Sequence, residues 1–194
     1  MRVYLSSYRM GARAGALRRR GGSALIVMNA LDEFEQRLAS WEREAGDLNE
    51  LGYSNTELDL RDYWGASPTA LRTTLSRADL IWVVGGNAFV LARAATRARL
   101  ADALADNPQL TYAGYSAGAC LTSTDLLGIE LMDDAETLPP GYGSEMPPST
   151  LRLIDTRVIP HAGTETAGTV SETVDLGSVF TPPGMSTSTC ARTR

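Results

Sequence analysis

The sequence predicts a doubly wound α/β domain: a mostly parallel sheet held between two layers of helices. Three observations carry this expectation. Short runs that are apolar on both faces, such as residues 23–29 and 79–84, have the composition of central parallel strands. Between such runs stand segments with apolar residues three and four positions apart, the period of a helix with one buried face. Glycine turns, at Gly85-Gly86 and at Gly114, follow two of the strand-like runs where a helix is due. Alternation of this kind builds a parallel sheet covered on both sides.

Taken in order, residues 2–7 are the first expected strand and residues 23–29 the second. Residues 32–51 read as a helix. Leu31, Phe34, Leu38, Trp41, Ala45 and Leu48 recur at helical spacing, and Glu33, Gln36, Arg37, Arg43 and Glu44 fill the other face. Residues 56–60 can form a strand. Residues 68–77 form a short helix with Ser67 as cap and Pro68 at its first position, where the missing N–H is not needed. The strand at 79–84 ends in Gly85-Gly86-Asn87. A helix then spans 88–105 and stops before Pro108, since the residue preceding a proline is pushed out of helical geometry. Residues 110–113 are the next strand, feeding the turn Gly114-Tyr115-Ser116-Ala117-Gly118. Residues 133–149, with two Pro-Pro pairs and Gly141-Tyr142-Gly143, read as a surface loop. Residues 151–159 read as a late strand leading to Pro160-His161. The α/β domain is expected to span 1–163. Residues 164–194 are rich in Thr, Ser, Gly and Pro and read as a loosely ordered tail, a truncated or frameshifted end, with weak strands at most at 169–174 and 176–180.

Composition narrows the chemistry. The 194 residues, 43% of them apolar, suffice for one domain with a proper core. No apolar run approaches the ~20 residues of a membrane span. A net charge of −5 argues against nucleic acid or an anionic membrane as partner. All 18 basic residues are arginine, which rules out a Ser–Lys dyad, a Schiff-base lysine and a Walker-type lysine. A single histidine, His161, rules out a His-rich metal site, and two cysteines, Cys120 and Cys190, make neither a disulfide framework nor a metal site. No cofactor and no metal are expected. Six arginines precede the first acidic residue, Asp32; they read as the wet face of the early chain rather than a transit peptide. The chain lacks the apolar core of a secretory signal, so a cytoplasmic protein is expected. The oligomeric state is not legible; a homodimer is the assembly to test.

Ser116 sits in a G-x-S-x-G turn between a strand and a helix. Small flanking residues suit a sharp elbow that lifts the hydroxyl clear of the sheet. A simple N-cap is the competing reading of that serine. A nucleophile there needs a base, and His161 is the one imidazole available. Gly85-Gly86-Asn87 lacks the spacing of a nucleotide loop and reads as a tight turn with Asn87 as cap. The backbone amides of Gly86 and Ala117 are placed to converge as an oxyanion hole. A carboxylate orienting the imidazole could be Glu130, Asp133 or Asp134 before it, or Glu165, Glu172 or Asp175 after it.

Several of these pieces together resemble one family. They are Val3-Tyr4-Leu5-Ser6-Ser7, Leu58-Asp59-Leu60-Arg61-Asp62-Tyr63, Trp82 with Gly85-Gly86-Asn87 and Phe89, Gly114-Tyr115-Ser116-Ala117-Gly118-Ala119, and Ile159-Pro160-His161. The set is similar to the peptidase E-like serine peptidases, which include aspartyl dipeptidase and cyanophycinase, and the resemblance ends near Gly163. It implies a class I glutamine amidotransferase-like, flavodoxin-like fold. It implies Ser116 as nucleophile, His161 as base, Gly86 and Ala117 as oxyanion donors beside Gly85 and Asn87, and Asp134 of the Asp133-Asp134 pair as third member. A glutamate well downstream of the histidine is the family's other third member. The substrate implied is a short peptide, cleaved through an acyl-enzyme. The family's aspartyl dipeptidases use an arginine beyond the histidine, and none occurs here between Arg157 and Arg192. The alternative expectations are an inactive relative that keeps the fold, and an esterase.

Overall fold

A computed structural model describes residues 1–143 and 148–161. Five strands, β1 (Arg2–Ser6), β2 (Gly22–Val27), β3 (Tyr53–Glu57), β4 (Leu80–Val83) and β5 (Thr111–Tyr115), pair in the order β1-β5-β4-β2-β3, every neighbouring pair parallel. Successive side chains on a strand point to opposite faces. On β4, Ile81 and Val83 enter one core while Leu80 and Trp82 enter the other. On β2, Leu25 and Val27 join the first and Ala24 and Ile26 the second. Two buried faces require apolar side chains at every position, which is why these runs show no polar alternation.

Helices supply the covers. The first core is closed by α2 (Pro68–Leu75), α3 (Ala88–Arg97), α4 (Leu100–Ala105) and α5 (Ala117–Cys120). The second lies under α1 (Arg37–Glu50), through Leu48 and, more shallowly, Trp41 and Ala45. The three-layer α/β architecture matches the sequence expectation. Ser67 and Asn87 cap their helices as expected: Ser67 Oγ accepts from the Thr69 N–H, and Asn87 Oδ1 from the N–H groups of Phe89 and Val90.

Five expectations are corrected. The strand expected at 56–60 is β3, Tyr53–Glu57, and Leu60 opens a 3-10 turn. The helix expected at 32–51 begins only at Arg37; Asn29–Leu31 is a 3-10 turn, and Phe34 and Leu38 are exposed. The Asp32 carboxylate is engaged by Asn29, Arg37 and Tyr142, which holds this stretch as a loop. Glu44, assigned to the wet face, is fully buried and accepts hydrogen bonds from Trp82 Nε1 and the Tyr115 hydroxyl, both at 2.9 Å. The helix expected at 88–105 is two, broken at Arg99 with φ 56°; the break lets Leu100 and Leu104 turn into the core. The strand expected at 151–159 is not in the sheet. That segment crosses the end of α5, where the N–H groups of Leu151 and Leu153 donate to the carbonyls of Leu121 and Thr122 at 2.8 and 2.9 Å. Those carbonyls lack helical partners at a helix end, so the segment, turned at Arg152 with φ 51°, caps a helix instead of extending the ladder. The weak strands expected at 169–174 and 176–180, and the tail as a whole, lie outside the described residues.

Candidate active site

The carboxyl ends of β1, β4 and β5 meet at the middle of the sheet edge, the place where open parallel sheets bind ligands. There β5 runs into Ser116, whose backbone has φ 49° and ψ −116°, a region that side-chain-bearing residues rarely occupy. The surrounding packing enforces the bend. A Cβ on Gly118 would lie 2.2 Å from the Val83 carbonyl oxygen, so the fourth position after Gly114 admits no side chain. Tyr115, just before the bend, is anchored through the sheet to Glu44 of α1. Burial, with the Glu44 charge adding to it, pushes the Tyr115 phenol well above its ordinary value, so it remains a proton donor to that carboxylate.

The elbow points the Ser116 hydroxyl at His161: Oγ lies 3.1 Å from Nε2. His161 arrives on the segment that crosses α5. The Val158 N–H donates to Ser123 Oγ at 2.9 Å, and the His161 N–H donates to Ser7 Oγ at 2.9 Å. The same Ser7 oxygen lies 3.4 Å from the ring Nδ1. Ser7 is buried immediately after β1, so the first strand seats both the backbone and the ring of the imidazole. Sequence reasoning did not single out Ser7 as a site residue. Its position just past the carboxyl end of the first parallel strand was the available signal.

A cavity of about 480 Å³ opens over Ser116 and His161, walled by Ala117, Cys120, Met132 and Asp133. Asp133 Oδ2 accepts the Ala88 N–H at 2.8 Å at the start of α3. Burial raises the Asp133 carboxyl above its usual range; that N–H and the nearby His161 oppose the shift. Asp134, the third member implied by the resemblance, is engaged elsewhere. Its carboxylate accepts from the Glu136 N–H at 2.9 Å and the Thr137 hydroxyl at 3.2 Å within its own loop, and its carbonyl accepts from Asn87 Nδ2 at 3.0 Å. Asp134 thus shapes the loop, and its neighbour faces the cavity. Burial, with Asp133 adding to it, pushes the Cys120 thiol up to about 12, which keeps it protonated and unreactive.

Gly85 and Gly86 form the turn after β4. Gly86 has φ 143°, and a Cβ on it would meet the Ala30 carbonyl oxygen at 2.3 Å, so glycine is required there. Neither the Gly86 nor the Ala117 N–H is hydrogen-bonded among the described residues. Among the described residues no group of three or more His, Cys, Asp or Glu side chains is placed to hold a metal ion, and no helix is long and apolar enough to cross a membrane. The arrangement sets a hydroxyl and an imidazole within hydrogen-bond reach of each other at the wall of one small cavity, with Ala117 beside them.

The sequence pattern of peptidase family S51 matches residues 36–176, nearly three quarters of the chain. The chain belongs to peptidase family S51. It is accordingly a peptidase of the serine type. The S51 match continues beyond Gly163, where the motif resemblance stops. Two solved structures share the fold. One is described as a peptidase E protein from Listeria monocytogenes EGD-e, 24% identical with TM-score 0.67, covering 82% of this chain and 78% of its own. The other is a peptidase from an acI-B1 Actinobacterium, 22% identical with TM-score 0.59, covering 82% of this chain and 67% of its own. No curated protein matches the chain.

Proposed function

We propose that this S51 peptidase hydrolyses short peptides, dipeptides among them, through an acyl-enzyme on Ser116. The observation that carries the reading is the 3.1 Å approach of Ser116 Oγ to His161 Nε2. Nε2 accepts the hydroxyl proton while Oγ attacks the scissile carbonyl carbon. The oxyanion that develops is stabilised by the Gly86 and Ala117 N–H groups; losing one such donor typically costs roughly 3–4 kcal/mol of transition-state stabilisation. As the C–N bond breaks, the imidazolium returns the proton to the leaving amine. Water, deprotonated by the same nitrogen, then attacks the ester and releases the acid and the Ser116 hydroxyl.

For Nε2 to accept, Nδ1 carries the ring proton, and Ser7 Oγ is the acceptor it faces at 3.4 Å among the described residues. Ser7 is proposed as a positioning residue. Asp134 contributes through the loop it braces, and Gly85 and Asn87 through the turn that presents Gly86. A serine-directed fluorophosphonate tests the reading: a stoichiometric adduct on Ser116, found by peptide mass spectrometry, is expected. Folded protein that takes up no label at Ser116 points instead to a relative that keeps the fold without the chemistry. Cell fractionation checks the cytoplasmic location expected of this reading.

A further inference from the structure

The cavity over Ser116 has a charge character of its own. No arginine lines it among the described residues, and the chain has no lysine. Asp133 is its one acidic group among the described residues. One Asp133 oxygen is fixed by the Ala88 N–H, and the other carries no hydrogen bond among the described residues. Asp133 is half-buried and stands in the cavity wall beside Ser116 and His161. Glu33, exposed nearby, adds to the negative field at Asp133. The remaining walls, Ala117, Cys120, Leu131, Met132 and Pro160, are apolar or nearly so.

We propose that Asp133 is a specificity determinant that selects peptides carrying a protonated amine on the acyl side of the scissile bond. The inference rests on the serine-peptidase reading above and names its substrate class. An ammonium on the acyl residue reaches that second Asp133 oxygen while its carbonyl sits over Ser116. An acidic side chain there meets the like charge of Asp133, with no arginine in the described wall to compensate, so aspartyl substrates are disfavoured. The shared chemistry is the ammonium group, which either the α-amine or a basic side chain can supply.

Kinetics on four anilides separates these sources: lysyl-, norleucyl-, N-acetyl-norleucyl- and aspartyl-p-nitroanilide. A lysyl over norleucyl preference of about tenfold or more in kcat/KM assigns the side chain, and a norleucyl over N-acetyl-norleucyl preference of that size assigns the α-amine. In either case Asp133→Asn, which keeps an oxygen for the Ala88 cap, is expected to collapse the ratio to within about twofold, and Asp133→Glu to restore part of it. Equal rates on all four substrates, an aspartyl preference, or a ratio untouched by Asp133→Asn overturns the proposal. The same ratios are read as affinities by calorimetry, with Ser116→Ala protein binding Lys-Ala, norleucyl-Ala and N-acetyl-norleucyl-Ala. The charge preference therefore stands or falls there even if the wild-type chain hydrolyses nothing, an outcome that would count against the peptidase reading alone.

Discussion

At the ends of β2 and β3, a cluster of polar side chains satisfies itself. The buried Asp32 carboxylate accepts from Asn29 at 2.9 Å, Arg37 at 3.2 Å and the Tyr142 hydroxyl at 2.6 Å. Asp59 takes a forked contact from Arg61 and a further bond from Asn29, whose own oxygen accepts the Leu60 N–H. At the ends of β1, β4 and β5, the same sheet edge holds Ser116 on a strained backbone, one imidazole, and backbone donors without a hydrogen-bond partner among the described residues. The first cluster spends its hydrogen-bonding capacity on the fold, and fixes loops that the helix and strand ladders do not reach. The second keeps capacity in reserve, which is what a site that must bind a changing partner requires. Tyr142 joins them, since the loop that presents Asp133 is pinned through that hydroxyl to Asp32.

If this division holds, substitutions at one cluster move activity and those at the other move stability. The largest expected effect is at the nucleophile. Ser116→Ala should lower kcat/KM by about 10⁴-fold, roughly 5 kcal/mol of transition-state stabilisation, with unfolding free energy changed by less than about 0.5 kcal/mol. Next, Asp32→Ala leaves Asn29, Arg37 and Tyr142 without their shared acceptor. A loss of about 3 kcal/mol in urea unfolding is expected, and a loss near zero would break the comparison at its stable end. Ser7→Ala should lower kcat about tenfold, roughly 1.4 kcal/mol, at nearly constant KM, because the imidazole loses a seat rather than the substrate a contact. A change in KM alone would reassign Ser7 to binding.

The smallest effect depends on pH. Burial pushes the Asp59 carboxyl up, but hydrogen bonds from Arg61 and Asn29 outweigh it and hold the group at about 2. A carboxyl depressed in the folded state stabilises above its unfolded value, near 4, and that contribution is lost as pH falls toward 2. Asp59→Asn should therefore cost about 1 kcal/mol at pH 7, after discounting for its partial exposure, and almost nothing near pH 2. Parallel unfolding curves for the two proteins across that range decide it.

The sheet was legible because burial on both faces leaves so little choice. Residues such as Ile26, Trp82 and Val83 have no polar alternative, and the turn after β4 needs glycine at Gly86 for reasons of contact distance. The pairing of Ser116 with His161 was legible for a different reason: the chain offers one imidazole. Other features had no local signal. Helical period marks Glu44 as outward; Trp82 and Tyr115, 38 and 71 positions away, together with the neighbouring Arg43 guanidinium, make its burial tolerable. The apolar run at 151–159 suits a strand, but its N–H groups meet the carbonyls at the end of α5, and the chain turns at Arg152 to reach them. Asp133 and Asp134 are adjacent in a loop, where no period tells which faces inward; the contacts of Ala88 and Glu136 divide them.

The imidazole follows Ser116 by 45 positions and rests on a serine 154 positions before it. A ribosome making the chain completes the elbow first. At about 5–20 residues per second it then runs for roughly 2–9 s before the proton acceptor emerges, longer still to clear the exit tunnel. Until then the proposed nucleophile is without its proposed base, so on that reading the growing chain spares neighbouring polypeptides while its own core is still exposed.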